Sequence, residues 1–246
     1  MPWIVPIVLL SLMAGLGRAG PAHANGLPVD VELVIAADGS GSIEPPEFHW
    51  QRQAYARAIT DPRVLQAIAA GRRRRIALAY IEWGAPASQD EIVGWRVIDG
   101  AAAAKGFAAR LLSRRRMAWG HNSISAAIAY AATMIASNRF DGSRKIIDIS
   151  GDGQNVGGPP LTLVRQQAAA AGITINALVL KMGPKTSGPG PAGISLAEHF
   201  RRDVIAGQGA FVMVATRRAD FAEAILRKLV REIAGVPGET ETKLRR

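Results

Sequence analysis

The stretch Ala36-Ala37-Asp38-Gly39-Ser40-Gly41-Ser42-Ile43 decides how the rest of this chain is read. An apolar run, Val31-Glu32-Leu33-Val34-Ile35-Ala36-Ala37, leads into it, and Glu44-Pro45-Pro46-Glu47 follows. Near-continuous apolarity over a short run suits a strand buried on both faces. Proline among acidic residues suits a helix start. The expectation is therefore strand, tight loop, helix. Asp38, Ser40 and Ser42 alternate with Gly39 and Gly41, which let the backbone turn sharply enough for three side-chain oxygens to converge. One carboxylate and two hydroxyls form a hard, oxygen-only set. Such a set suits Mg²⁺, Mn²⁺ or Ca²⁺ rather than zinc. The same residues could equally cap a plain strand-to-helix turn.

Outward from this stretch, apolar runs alternate with amphipathic segments. Residues 31–37 are expected as the first strand and residues 47–59 as the first helix, with Phe48, Tyr55 and Ile59 on one side. Asp61-Pro62 breaks that helix, and residues 64–69 add a short helical piece. Strands are expected over 76–83 and 92–98. Only residues 84–91 separate them, too few for a crossover helix, so the two should be antiparallel. Val93, Trp95 and Val97 alternate with Gly94 and Arg96, the period of an edge strand with one wet face. Helices over 101–112 and 123–136 follow. In the second, Ile124, Ile128, Ala131 and Ile135 form a stripe at helical spacing.

A strand over 145–150 ends at Gly151-Asp152-Gly153. After it come a helix over 160–171, a strand over 173–180 and a Pro/Gly/Ser-rich loop within 183–193. A helix over 196–205 and a strand over 210–215 complete the alternation. The last helix opens on a capping box, Asp220-Phe221-Ala222-Glu223, and should bury Phe221, Ile225, Leu229 and Ile233. The pattern implies an α/β fold: a doubly wound, mostly parallel sheet of about six strands with one antiparallel edge strand and helices on both faces. Ligands of such sheets sit beyond the carboxyl ends of central strands, where Asp38 and Asp152 both fall.

Two further loops bear on the first. Ile146-Ile147-Asp148-Ile149-Ser150-Gly151-Asp152-Gly153 is an apolar strand ending in a D-G turn. Gly120-His121-Asn122-Ser123-Ile124-Ser125-Ala126-Ala127-Ile128 precedes the striped helix. Together the three loops resemble the metal-ion-dependent adhesion site of the von Willebrand factor A domain. That resemblance runs from about residue 31 to 233. It implies a site in which the D-x-S-x-S loop, a Thr from a second loop and an Asp from a third hold one divalent cation. By resemblance Asp152 is the third-loop acid. Counting back from Ala127 puts Asn122 in the Thr position, a departure from the family pattern, with Ser123 as the alternative after a one-residue shift. The implied ligand set is Asp38, Ser40, Ser42, Asn122 and Asp152, with Mg²⁺ expected ahead of Ca²⁺ or Mn²⁺. Phe200 to Ile205, Gly209 to Val212, Ala224, Arg231 to Ile233, Glu82-Trp83 and Val97 to Gly100 look like a bacterial secreted branch of the fold catalogued as a domain of unknown function.

The chain has 246 residues, 48% hydrophobic and 20% charged, which suits one α/β domain with a full core and excludes a disordered chain. It contains no cysteine, so disulfides and thiolate metal sites are excluded. Residues 3–17 form an apolar run too short to span a bilayer comfortably, and Ala22-His23-Ala24 follows as a small-x-small cleavage pattern. The expected organisation is a signal peptide over 1–24, a linker over 25–30, the A-type domain over 31–234 and a polar tail over 235–246. No lysine or arginine precedes the apolar run, so an uncleaved anchor is the alternative. The cleaved chain would have no transmembrane span and would be periplasmic or extracellular.

Three classes of function compete. The first is a metal-dependent protein-binding module, in which the Asp or Glu carboxylate of an unknown partner protein completes the metal shell. No enzyme is expected, although a metal-dependent hydrolase or phosphoesterase is the alternative, since a hard ion with an open position can activate water. Glu44 and His121 are its candidate bases only by proximity in sequence. A serine nucleophile lacks the G-x-S-x-G frame, because Asp38 occupies the first Gly position. A dinucleotide fingerprint starting at Gly39 meets Glu44 where it needs Gly, and the loop carries no P-loop lysine. The third class is electrostatic. The net charge is +10, concentrated in residues 72–75, residues 114–116, Arg217-Arg218 and the Lys243-Leu244-Arg245-Arg246 tail. Attraction to an anionic envelope surface fits, whereas nucleic acid does not, because export and the absence of interleaved aromatics oppose it.

Export yields a direct check. Protein recovered from the cell envelope is expected to begin at Asn25, as read by intact mass. A mass that retains residues 1–24 overturns the cleavage reading.

Overall fold

Strand β1, Leu27–Asp38, is the centre of a computed structural model that describes residues 26–181 and 193–235. Its apolar residues are buried on both faces because parallel neighbours flank it and helices cover both sides. Helices α1 (Pro45–Thr60) and α2 (Pro62–Ala70) follow, then β2 (Ile76–Trp83) and β3 (Gln89–Ile98). Next come α3 (Ala101–Ser113), α4 (Ile124–Ala136), β4 (Phe140–Gly151), α5 (Leu161–Ala170) and β5 (Ile173–Leu180). The described chain ends with α6 (Leu196–His199), a π-helical turn at Phe200–Val204, β6 (Val212–Ala215) and α7 (Arg218–Ala234).

The six strands lie in the order β3-β2-β1-β4-β5-β6. Only β3 is antiparallel to its neighbour, as the short β2–β3 connection requires. Along β3 the alternation departs from expectation. Ile92 and Val93 are both buried and Val97 is only half-buried, because the ladder with β2 shifts register around Tyr80. One face of the sheet packs Leu33, Ile35, Leu78 and Tyr80 against α1, α3 and α7. The other packs Val34, Ala36, Ile147 and Ile149 against the full α4 stripe of Ile124, Ile128, Ala131 and Ile135.

Several boundaries move. Residues 27–30, expected as linker, are strand, and β4 begins at Phe140 rather than residue 145. These extensions pair with each other, Leu27 with Phe140 and Val29 with Gly142, as a ribbon beyond the main sheet. Val29 is buried there, but these short segments, broken by Pro28 and Gly142, are too mixed to write a strand period. The expected capping box is absent. Asp220 lies inside α7, whose N-cap is Arg217, and its carboxylate accepts from the Arg217 guanidinium at 2.7 Å. The signal-peptide segment, most of the 183–193 loop and the polar tail lie outside the described residues.

The amphipathic pattern of α7 also hides a buried charge. Lys228 is fully buried, with Nζ 2.5 Å from Asp148 Oδ1 on β4 and 2.6 Å from Glu232 Oε1 one turn along α7. Asn176 of β5 donates to the same Glu232 oxygen at 2.9 Å. Burial and the Asp148 charge push the Glu232 carboxyl up to about 8, against the pull of Lys228. Glu232 therefore holds its proton toward neutral pH more tightly than an ordinary glutamate.

Removing the cation leaves an uncompensated charge inside the protein. Lys228→Met is expected to destabilise the fold by about 3–5 kcal/mol in urea unfolding. Glu232 binds its proton more tightly in the fold than in the unfolded chain. Stability should therefore fall as pH rises from the ordinary Glu range through about 8. Glu232→Gln should flatten that fall. An unchanged slope in this variant would overturn the assignment.

Candidate metal centre

Two loops leave the carboxyl ends of the neighbouring strands β1 and β4, and the connection between α3 and α4 meets them there. The strand order reverses between β1 and β4, the switch point at which a doubly wound sheet opens a crevice. Asp38 ends β1 and Asp152 follows β4, so 114 positions of sequence separation collapse to direct contact. Asp38 is fully buried. Its Oδ1 accepts from the Ser40 backbone N–H at 2.8 Å and its Oδ2 from the Asp152 backbone N–H at 3.3 Å. The Ser40 and Ser42 hydroxyl oxygens stand 2.9 Å apart. Ser42 donates to Asp152 Oδ1 at 2.9 Å, and Asn122 Nδ2 donates to the same oxygen at 3.1 Å. The structure thus gathers Asp38, Ser40, Ser42, Asn122 and Asp152 in one cluster. Asp38 and Ser40 lie deep, and Ser42 and Asp152 face the solvent side.

The two candidates of the second loop point in different directions. Ser123 turns away and donates to the Gly157 carbonyl at 3.3 Å, whereas Asn122 turns in. The Asn122 amide lies so close to Gly153 that a Cβ there would run into it, which gives the D-G pair a packing reason. Glu44 and His121 are exposed.

The electrostatics fit a hard cation. The Asp38 carboxyl is pushed up to about 7, first by burial and then by the Asp152 charge, with hydrogen bonds from Ser40 and Asp152 pulling the other way. A buried carboxyl beside a second acid is stabilised by a proton or by a positive ion close to it. Hydroxyls of Ser40 and Ser42 and the amide oxygen of Asn122 would extend the oxygen set, the last after the amide turns over. Among the described residues no group of three or more His, Cys, Asp or Glu is placed to share an ion. Two carboxylates with hydroxyl and amide oxygens are the donors that this chain offers.

The loop is held from behind by residues that sequence reasoning missed. Arg116 was grouped with Arg114 and Arg115 as basic surface, yet its guanidinium donates to the carbonyls of Gly39 (3.1 Å), Ile43 (2.8 Å) and Ser40. Arg116 and Arg52 both lie over the Phe48 ring, at 4.8 and 4.7 Å from its centroid. Arg52 in turn forms a buried bidentate pair with Glu82 at 2.6 and 2.9 Å. It also donates to the carbonyls of Leu111, Arg114 and Arg115. Gln51 donates to the Asp38 carbonyl at 2.9 Å. Trp83 closes the floor. Its carbonyl accepts from Gly39 N–H at 2.9 Å, and its indole donates to the Ala36 carbonyl at 3.1 Å. The one sequence signal for this frame was Glu82-Trp83. Nothing in the arginine run distinguishes a carbonyl-binding guanidinium from a solvated one.

A family model described as protein of unknown function (DUF1194) matches residues 28–237. No curated protein matches the chain in sequence. Similar solved structures include proximal thread matrix protein 1 from the mussel byssus with a zinc-occupied MIDAS motif, at TM-score 0.61 and 12% identity, covering 86% of this chain and 50% of that one. A von Willebrand factor type A protein from Catenulispora acidiphila aligns at TM-score 0.56 and 17% identity, over 83% of this chain and 43% of that one. The vWF domain of the type V pili tip protein Mfa5 from Porphyromonas gingivalis aligns at TM-score 0.58 and 10% identity, over 87% of this chain and 98% of that one. The chain thus spans about half the length of the first two and nearly all of the third, and at these identities the likeness is one of fold. The chain belongs to the DUF1194 family of proteins of unknown function, and its fold is that of the von Willebrand factor A domain.

Proposed function

We propose that this chain is an exported protein-binding module. In it Asp38, Ser40, Ser42, Asn122 and Asp152 hold a divalent cation, and a carboxylate from a partner protein completes the shell. The observation that carries the reading is the pairing of Asp38 and Asp152, two acids from distant loops facing each other beside two hydroxyls at a sheet switch point. Mg²⁺ suits a small, hard oxygen set, and Ca²⁺ or Mn²⁺ would be tolerated. The bound cation would supply charge and an open coordination position, and the protein side chains would orient it. Solvent-side placement of Ser42 and Asp152 leaves that position accessible. The neighbouring loops carry exposed Met117, Trp119 and Val156, which would add apolar contact around the carboxylate. The Gly120 carbonyl accepts from Gly41 N–H at 2.8 Å and the Asn122 carbonyl from Val156 N–H at 2.6 Å, so both rims are tied to the site. A byssus matrix protein and a pilus tip domain among the similar structures favour binding over catalysis. No helix among the described residues is long and apolar enough to cross a membrane.

Metal binding should raise the melting temperature, since an ion that binds only the folded state stabilises it by mass action. Asp152→Ala is expected to abolish the Mg²⁺ response in a thermal-shift titration. A response of native size in that variant would place the ion elsewhere. Asn122→Thr should tighten Mg²⁺ in titration calorimetry by about 1 kcal/mol, because the shorter β-branched side chain has fewer rotamers and no competing NH₂. Weaker binding by the Thr variant would mean that Asn122 is itself a fitted ligand.

The proton on Asp38 must leave when a cation enters. Its carboxyl titrates near 7 in the free site, so apparent Mg²⁺ affinity should rise with pH up to about 7 and level off above it. Titrations at a series of pH values check this. A flat profile from acid to neutral pH would contradict the role given to Asp38.

A further inference from the structure

We propose that the end of the fold opposite the candidate metal centre docks on an anionic membrane surface through the exposed guanidinium groups of Arg72, Arg73 and Arg74. The loop Gly71-Arg72-Arg73-Arg74-Arg75 joins α2 to β2 and lies at the amino ends of the strands. It sits beside Asp30, and Asp38 lies eight residues further along β1, a span of about 26 Å at the rise of an extended chain.

The loop backbone is held rigidly. Asp30 accepts from the Arg73 backbone N–H with both carboxylate oxygens, at 2.9 and 3.0 Å, and from Arg75 N–H at 3.4 Å. Asp30 N–H donates to the Arg75 carbonyl at 2.9 Å. The Arg75 side chain is spent on the Pro28 carbonyl at 2.9 Å. Arg74 adopts φ 55°, in the left-handed region that a non-glycine residue occupies only when its surroundings impose it. The acid at the centre of the loop therefore binds backbone amides. Arg72, Arg73 and Arg74 point their side chains to solvent and form no ion pair among the described residues. A fixed backbone that displays three adjacent guanidiniums loses little further entropy on binding an array of phosphates.

The surroundings favour a membrane over other polyanions. Exposed Leu27 begins β1 at this end and pairs with Phe140, next to exposed Arg139. An apolar residue beside the arginines suits a lipid headgroup layer, whereas single-stranded nucleic acid would call for exposed aromatic rings among them. Helix α7 also ends here, where the Arg144 guanidinium binds the carbonyls of Glu232 and Ile233. In sequence, Lys243, Arg245 and Arg246 follow α7, so that basic segment joins the fold at this end. Exposed Asp99 and Asp141 share it and weaken the field without pairing with the loop. Docked this way, the domain would present its metal centre away from the membrane.

Flotation of the full chain with vesicles tests the surface. Vesicles of equal parts phosphatidylglycerol and phosphatidylcholine are compared with phosphatidylcholine alone, so that any contribution from the apolar run cancels in the ratio. The expected result is preferential binding to the anionic vesicles that disappears at molar salt and is unchanged by chelator. Replacing Arg72, Arg73 and Arg74 together by Ser should reduce the anionic partition roughly a hundredfold, and replacing them by Lys should retain most of it. Equal binding to both vesicle types, or a triple Ser variant that binds like the native chain, overturns the proposal. So does binding to duplex DNA that exceeds vesicle binding and falls with the same substitutions. Insensitivity to chelator keeps this outcome separate from success or failure of the metal-dependent reading.

Discussion

Parallel pairing of β1 with β4 is the constraint on which the site depends. The two strands run in register from Leu27 with Phe140 to Ala36 with Ile149, so their carboxyl ends finish side by side. Asp38 and Asp152 are the next acidic residues past that ladder, and nothing else in the chain would bring them together. Asp38 is fully buried, and the Ser40 and Asp152 amides that donate to it offset only part of the solvation it loses. The Asp38 carboxyl therefore keeps its proton far above the usual aspartate range, as functional-site carboxyls often do.

The rigidity of the first loop comes from charges placed behind it. Phe48 is bracketed by Arg52 and Arg116, one neutralised by Glu82 and the other satisfied by loop carbonyls. A flexible Gly-Ser loop would have to be ordered each time it bound an ion. Here the guanidinium of Arg116 has already fixed three of its carbonyls, so less conformational entropy remains to be lost on binding. The second buried charge cluster, Lys228 with Asp148 and Glu232, ties α7 to β4 on the α1 and α7 face of the sheet. Both clusters fix how a helix sits on the sheet, a job that apolar contacts alone leave less specific.

Much of the fold was legible in the chain. Strands β2 and β5 begin and end where their apolar runs do, and the α4 stripe is buried residue for residue, because burial on both faces or along one helix side writes a clear period. The strand extensions at Leu27 and Phe140 were illegible, since segments so short and mixed write no strand period. Asp220 was read as a cap because its spacing to Glu223 fits one, but an arginine neighbour captured its carboxylate.

The sequence by itself determined the alternation of strands and helices and the antiparallel hairpin, and it singled out five side chains that the fold gathers in one cluster. Periodicity, loop length and oxygen chemistry are local properties and survive in one dimension. Tertiary structure alone decided that Asn122 rather than Ser123 turns toward Asp152, that Arg116 is a brace and Arg72 to Arg74 a surface, and that Lys228 lies inside. Each of these depends on which backbone atoms or charges come within a few ångströms after folding. An arginine or lysine carries the same symbol whether carbonyls, carboxylates or water surround it.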